Sequence, residues 1–286
     1  MDIQQVEIGN ILTRTSGYLE TVTSHSMQPY RGCSLGSSLC GVACYVRHSF
    51  HVTRGRTWGE FLEVRHNAAE SYLRHVTSER RWARKYRGRF SIFLSSSTEP
   101  FLPQEERYGV TRSLLEAMLQ EPPDELVVQT HSHRVSGALD LLVPLAELCR
   151  VRCHLSIETD RDRLVDFLPN HASPIPWRFE AAKRVRAAGI RTVVTVAPLL
   201  PIADPEAFFR RIAEHADAVV LDHFVGGDGS KHGSRTRRTR LPEAMELVES
   251  GSSDPAYRDL MVAVAQRHLP GRVGVSIDGF AGRLLC

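Results

Sequence analysis

Residues 125–157 read ELVVQTHSHRVSGALDLLVPLAELCRVRCHLSI, in which two apolar runs flank a stretch with helical spacing. The runs 125–130 and 151–157 are rich in valine and leucine, as strands buried on both faces are. The residues between them include apolar side chains spaced to share one helix face: Leu139, Leu142, Val143 and Leu145. A strand, a helix and a strand in this order predict two parallel strands joined by a right-handed crossover.

The same alternation extends along most of the chain. Apolar runs predict seven strands: 61–66, 90–95, 125–130, 151–157, 190–197, 217–222 and 272–277. Helical patterns separate most of them, and one begins after Asp204 and Pro205, where aspartate can cap the helix and proline can occupy its first turn. We therefore expect an α/β fold of parallel strands, a partial (β/α)6-type TIM barrel. In such folds the active site lies at the carboxyl ends of the strands.

Composition places the chain among ordinary globular proteins. It has 286 residues, of which 42% are hydrophobic and 24% are charged. No stretch approaches the ~20 apolar residues that a transmembrane helix needs, and residues 1–5 lack the pattern of a signal peptide. These features predict a cytoplasmic protein with no membrane partner. The formal net charge of +3 is too small to identify a partner.

Half of the six cysteines lie in the glycine- and serine-rich segment 29–45, at Cys33, Cys40 and Cys44. This cysteine segment is too irregular to be predicted as a helix or a strand. Three thiolates can hold three irons of a [4Fe–4S] cluster and leave the fourth iron open to an exchangeable ligand. Six cysteines in a chain this long do not resemble the disulfide framework of a small secreted protein. The segment therefore predicts metal chemistry.

Zinc is the alternative metal. Cys40, Cys44 and His48, completed by His51 or Cys33, offer the four ligands of a tetrahedral site. On this reading the chain is a zinc-stabilised, non-catalytic nucleic-acid-binding protein.

Two basic segments bear on nucleic-acid binding. Residues 80–89 interleave Trp82 and Tyr86 with arginine and lysine, a mixture that can hold phosphates and stack on bases. The same residues are also compatible with a solvated helix face that packs Trp82 inward. Residues 235–240 are basic but contain no aromatic residue.

Polar residues follow several predicted strands, where a barrel would have its mouth. They comprise Ser95, Ser96, Ser97, Thr98 and Glu99, then His131, Ser132 and His133, then Ser156 and Glu158, and finally Asp222 and His223. Convergent polar groups above apolar strands are typical of a ligand site.

These segments together resemble the radical S-adenosylmethionine superfamily, and within it the spore photoproduct lyase-like group, also described as DNA repair photolyase-like. The likeness rests on the cysteine segment 29–45 and on four later segments in order: Thr98-Glu99-Pro100-Phe101-Leu102-Pro103, Thr130-His131-Ser132, Ser156-Ile157-Glu158-Thr159 and Val196-Ala197-Pro198-Leu199-Leu200-Pro201. It implies a radical S-adenosylmethionine domain over residues 29–286, preceded by an N-terminal extension, residues 1–28. Residues 225–240 would form a basic loop within that domain.

The resemblance also implies the roles of individual residues. The cluster would be held by Cys33, Cys40 and Cys44, and S-adenosylmethionine would bind its open iron. Thr98 and Glu99 would meet the amino group of that cofactor, and Arg178 would pair with its carboxylate. The remaining contacts to the cofactor would come from five residues: Tyr45, His131, Ser132, Ser156 and Glu158.

The implied activity is reductive cleavage of S-adenosylmethionine to a 5′-deoxyadenosyl radical, which abstracts hydrogen from a substrate. An external electron donor of the flavodoxin or ferredoxin type would be the partner, and the substrate would be a base in DNA or a nucleoside.

The spacing Cys-x6-Cys-x3-Cys differs from the usual Cys-x3-Cys-x2-Cys. The lyase that names the group uses a cysteine near the end of the second strand as hydrogen donor. At the corresponding place this chain has no cysteine but Ser95, Ser96 and Ser97, which argues against thymine-dimer repair by that route.

Overall fold

Eleven strands and twelve α-helices make up the computed structural model, which describes all 286 residues, Met1–Cys286. The strands are β1 Asp2–Val6, β2 Thr13–Arg14, β3 His25–Met27, β4 Tyr30–Gly32, β5 Phe61–Arg65, β6 Ser91–Leu94, β7 Glu125–Thr130, β8 Arg150–Ser156, β9 Arg191–Val196, β10 Ala218–Leu221 and β11 Val273–Val275. The helices are α1 Leu39–Ala43, α2 Phe50–Thr53, α3 Ala68–Arg87, α4 Glu105–Tyr108, α5 Val110–Gln120, α6 Leu139–Leu148, α7 Ile175–Ala187, α8 Pro205–His215, α9 Phe224–Gly227, α10 Leu241–Val248, α11 Pro255–His268 and α12 Ser276–Phe280.

Eight strands form the main sheet, in the order β11-β10-β9-β8-β7-β6-β3-β2. Every neighbouring pair is parallel except β2 and β3, which are antiparallel. The prediction of an α/β fold with parallel strands is therefore confirmed. The sheet ends at two open edges, β2 and β11, so it does not close into a complete barrel.

All seven predicted strands are present, but one lies in a different sheet. Strand β5 pairs with β1 in parallel and with β4 in antiparallel orientation, and these three strands form a separate sheet. The expectation that β5 would be the first strand of the barrel was wrong. An apolar run identifies a strand but carries no information about its partner. The position beside β6 belongs instead to β3, a strand of only three residues.

Residues 1–28, expected as an N-terminal extension, are part of both sheets. They contribute β1 to the small sheet and the strands β2 and β3 to the main sheet. His25 and Met27 are fully buried. The imidazole Nε2 of His25 lies 3.0 Å from the carboxylate of Glu79 on α3. This contact and the ladder to β6 attach the amino-terminal residues to the core.

The predicted helices are confirmed, and they pack their apolar faces on the sheet. On α5, Leu114, Leu115 and Met118 are fully buried. Helix α8 begins as predicted, because the Asp204 carboxylate accepts a hydrogen bond from the Ala207 amide at 3.0 Å. None of the helices combines the length and the apolar character needed to cross a membrane.

The core makes a simple stability prediction. Phe209 on α8 is fully buried between the sheet and α11. We expect Phe209→Ala to lower the free energy of unfolding by about 3–5 kcal/mol, measured by urea denaturation, because it leaves a cavity. Phe50 on α2 is 76% exposed and provides the matched control. Equal effects of Phe209→Ala and Phe50→Ala would contradict this packing.

Candidate functional site

A cavity of about 410 Å³ lies at the carboxyl edge of the main sheet. Its wall includes residues that follow or end five neighbouring parallel strands, β6 to β10. These residues are Ser95, Ser96, Ser97, Thr98 and Glu99, then His131, then Ser156 and Glu158, then Ala197 and Pro198, and then Asp222 and His223. Parallel strands end at the same edge, which is why segments so distant in the chain meet here.

The cysteine segment lies against the same edge. Cys33, Cys40 and Cys44 all line the cavity. Part of the segment is helical, contrary to expectation: α1 carries Cys40, and Cys44 follows its end. The Ser38 hydroxyl accepts a hydrogen bond from the Gly41 amide at 3.4 Å, which caps this short helix. Five residues that include a glycine are too few to produce a helical pattern in the sequence.

Glycine contacts determine how tightly the cysteine segment folds. A Cβ atom on Gly41 would lie 2.0 Å from the Leu35 carbonyl oxygen, and one on Gly36 would lie 2.1 Å from the Gly59 Cα atom. The Leu39 amide also donates a hydrogen bond to the Asn170 carbonyl at 2.9 Å. Only glycine fits at these contacts. The helix that carries Cys40 is therefore held from two sides.

Burial keeps the three thiols protonated in the absence of a cation. It raises the pKa of Cys33 to about 12 and that of Cys44 to about 11, and it raises the pKa of Cys40 well above its usual value. The negative charges of neighbouring thiolates add to the effect for Cys33 and Cys40. Metal ions bind the thiolate and release its proton. Three cysteine side chains thus line one cavity, and cysteine thiolates are the usual ligands of iron–sulfur clusters.

The structure gives the zinc alternative no support. It contains no group of three or more histidine, cysteine, aspartate or glutamate side chains placed to hold a single metal ion. His51 is exposed, and neither it nor His48 lines the cavity. The thiolates of a cubane cluster bind different irons and need not converge on one point.

Glu99 is held rigidly in the cavity wall. Its carboxylate accepts hydrogen bonds from the Thr130 hydroxyl at 2.5 Å, from the Phe101 amide at 2.9 Å and from the His131 amide at 2.8 Å. Burial nevertheless outweighs these bonds and raises the pKa of Glu99. The side chain is thus positioned by the segments that follow β6 and β7.

Glu158 is the centre of a charge network beside it. One oxygen accepts a hydrogen bond from the Arg178 guanidinium at 2.7 Å, and the other lies 3.2 Å from His131 Nε2. Arg178 is only 2% exposed and also donates to the Ser156 carbonyl at 2.7 Å. His131 is more accessible, with 31% of its side chain exposed. Glu158 therefore neutralises the buried Arg178 and also contacts the more exposed His131, and both side chains line the cavity.

The network shifts the pKa values of its members. Burial opposes the charged form of Glu158, but Arg178 and His131 outweigh it and hold the pKa of this carboxyl well below its usual range. Burial likewise opposes a charged His131, but the hydrogen bond and charge of Glu158, with Glu99, raise the pKa of His131. The arrangement favours an imidazolium between two carboxyl groups.

The remaining predicted residues divide into two groups. Tyr45, Thr98 and Ser156 line the cavity with the residues above. Ser132 does not line it. Its hydroxyl accepts a hydrogen bond from the Arg134 amide at 3.2 Å and begins a short 3-10 helix.

Sequence reasoning missed several polar residues of the cavity, among them Tyr18, Asp228 and Arg235. The Tyr18 hydroxyl donates to Asp222 at 2.8 Å, although Tyr18 belongs to the expected extension. Asp228 accepts from the Thr236 amide at 2.8 Å, and Arg235 donates to the Asp228 carbonyl at 3.2 Å. The glycines around Asp228 predict a turn. No sequence signal placed that turn at the cavity.

Most arginines of the basic segment 80–89 are paired with acidic side chains. Four of its arginines form ion pairs: Arg80 with Glu121, Arg84 with Asp124, Arg87 with Glu20 and Arg89 with Glu125. Trp82 packs partly against the core, as the helix-face alternative predicts. Arg81 and Lys85, both exposed, are the basic residues of this segment without an acidic partner.

Among known proteins, one is similar in sequence over about half of this chain. No protein-family model matches the chain. It is 29% identical to the Uncharacterized protein ORF301 of Acidianus two-tailed virus over 146 residues, which are 51% of this chain and 44% of the viral protein. The match thus spans less than half of that relative's length.

Solved structures of spore photoproduct lyase share the architecture. One mutant of that enzyme superposes with a TM-score of 0.65 at 14% identity, over 96% of this chain and 81% of the lyase. A mutant with bound AdoMet and dinucleoside spore photoproduct superposes with a TM-score of 0.62 at 16% identity, over 95% of this chain and 81% of the lyase. The predicted likeness is confirmed at the level of the fold, which is all that such identities show.

Removal of the buried Glu158 carboxylate should lower the free energy of unfolding. Glu158→Gln leaves Arg178 without its counter-charge, and we expect the free energy of unfolding to fall by about 3–5 kcal/mol in urea denaturation. The control is Glu243→Gln, which removes the partner of Arg240 in an exposed pair and should cause no measurable change. A loss no larger in Glu158→Gln than in Glu243→Gln would exclude the buried network.

The raised pKa of His131 predicts a pH dependence with a definite sign. Its charged form stabilises the fold fully below the ordinary histidine pKa of 6.5, and this contribution is lost as pH rises through the raised folded pKa. The stability difference between the wild type and His131→Gln should therefore shrink as pH rises above about 6.5, measured by urea denaturation. The exposed His51→Gln variant should follow the wild type, and a difference that grows with pH would contradict the assignment.

Proposed function

We propose that the chain is a radical S-adenosylmethionine enzyme of the spore photoproduct lyase-like group. What supports this most is the meeting, in one cavity at the carboxyl edge of a parallel sheet, of three cysteines with Glu99, His131, Glu158 and Arg178. The shared architecture of spore photoproduct lyase agrees with it. On this proposal the open sheet is a partial barrel whose mouth is covered by the cysteine segment.

Cys33, Cys40 and Cys44 would hold a [4Fe–4S] cluster, and the polar residues beside them would bind S-adenosylmethionine. Together these groups supply the electron and the carbon–sulfur bond whose cleavage gives a 5′-deoxyadenosyl radical for hydrogen abstraction. A flavodoxin- or ferredoxin-type protein is the proposed electron donor.

The protein's own residues would bind and orient the cofactor. Glu99, held by three hydrogen bonds, presents a carboxylate to an ammonium group. His131 is the accessible cation for a carboxylate, whereas Arg178 is already engaged by Glu158 and acts by fixing that carboxyl. The buried cavity walls limit access of water to a reactive carbon radical.

We propose that the substrate is a base in DNA or a nucleoside. The rings of Tyr18, Phe93 and Phe280 line the cavity, together with Asp228 and Arg235. Aromatic rings beside a few polar groups suit a planar base with hydrogen-bonding edges. The spore photoproduct lyase mutant mentioned above holds a dinucleoside in its structure.

The six cysteines allow a direct test, because three of them line the cavity and three do not. After anaerobic reconstitution with iron and sulfide, we expect the wild type to bind about four irons per chain and to form 5′-deoxyadenosine from S-adenosylmethionine under reduction. The triple variant Cys33→Ala, Cys40→Ala, Cys44→Ala should lose the bound iron and the product.

The matched control is Cys149→Ser with Cys286→Ser, which changes cysteines that do not line the cavity. It should keep the iron and the activity of the wild type. Loss of iron in both sets of variants, or 5′-deoxyadenosine formation by the triple variant, would overturn the proposal.

A further inference from the structure

A second cavity, of about 370 Å³, lies at the opposite edge of the main sheet. It lies among the amino-terminal ends of β7 to β10, away from the residues of the candidate site. Five charged side chains line it: Arg89, Arg150, Arg152, Arg191 and Glu125. Four positive charges thus share the cavity with one negative charge.

The strand register brings like charges together. Arg152 on β8 and Arg191 on β9 are partners in the parallel ladder, so their side chains project from the same face. Arg150 lies two residues before Arg152 and shares that face as well. Like charges at neighbouring positions of a sheet repel each other. This arrangement is unfavourable without an anion.

The single carboxylate does not balance the arginines. Glu125 lies 3.1 Å from Arg89 Nη2 and 2.9 Å from Arg152 Nε, so it is already shared. No acidic side chain pairs with Arg150 or Arg191, which are both exposed. An excess of positive charge therefore remains at the cavity.

Arg152 is a buried cation with unused donors. It is only 5% exposed, and its Nη1 donates to the Phe280 carbonyl at 3.2 Å. Its Nη2 has no hydrogen-bond acceptor. Burial lowers the pKa of Arg152, as do the charges of Arg89 and Arg150, against the opposing effect of Glu125. A buried donor without an acceptor is costly, and an anion in the cavity would reduce that cost.

We propose that this arginine cavity binds the phosphate group of a small phosphorylated molecule. A phosphate monoester carries up to two negative charges, and its oxygens match the forked donors of arginine. The volume lies within the range of about 300–1,000 Å³ that small-ligand pockets span. Val193, Val220 and Leu284 line the remaining wall and offer apolar contact to the organic part.

Calorimetric titration of the full chain tests this without any cluster, so its outcome does not depend on the proposed enzyme activity. The probes are inorganic phosphate and ribose 5-phosphate at constant ionic strength, with ribose as the uncharged comparison. We expect both phosphates, and not ribose, to bind. The double variant Arg150→Gln, Arg191→Gln should weaken binding at least about tenfold. It changes exposed side chains, and circular dichroism verifies that it folds.

Arg210→Gln is the matched control, because Arg210 is exposed on α8 and does not line the cavity. It should bind both phosphates like the wild type. Absence of binding to the wild type, or an equal loss in Arg210→Gln, would overturn the proposal. Binding of only a single-stranded oligonucleotide without a terminal phosphate, dependent on Arg150 and Arg191, would also overturn it and assign the arginines to a nucleic-acid backbone.

Discussion

Parallel pairing of β6 to β10 is the constraint on which both ends of this molecule depend. Because these strands run in one direction, every residue that follows a strand reaches one edge, and every residue that starts a strand reaches the other. Leu126, Val128 and Leu155 are fully buried in the middle of the sheet, and His154 of β8 is buried there as well. The two charged cavities lie at the two edges of the sheet.

The two cavities handle buried charge differently. At the carboxyl edge, Arg178 has a carboxylate of its own in Glu158, which also faces His131. Glu158 thus meets both basic side chains from within the protein, although Arg178 Nε has no hydrogen-bond acceptor. At the amino edge, Arg152 shares Glu125 with Arg89 and keeps an unpaired donor. Each edge thus shares one carboxylate between two basic side chains, and the amino edge adds Arg150 and Arg191, which have no acidic partner.

Sequence patterns predicted the strands that are buried on both faces, because Glu125–Thr130 and similar runs differ clearly from helices and loops. They also predicted most of the candidate site, since residues such as Glu99 and Glu158 come directly after such runs. Neither result needed knowledge of which strands pair. The burial of Arg178 and the greater exposure of His131 did need it, because both depend on how distant segments pack.

What could not be predicted depends on contacts between distant segments. Strand β3 has three residues, which is too short for any periodicity, and it exists because β6 provides its hydrogen-bonding partner. Strand β5 has a clear pattern, but nothing in that pattern excludes the small sheet. Tyr18 and Asp228 reach the cavity only because their loops fold over it. Such placements follow from packing rather than from local preference.

The position of β3 has a consequence for any shortened form of the protein. A chain that began after Met27 would lack β3 and β1, and the backbone amides and carbonyls of β6 and β5 that now pair with them would be bare. Uncovered strand borders recruit strands from other molecules. Residues 1–27 therefore also protect these strand edges from forming intermolecular sheets.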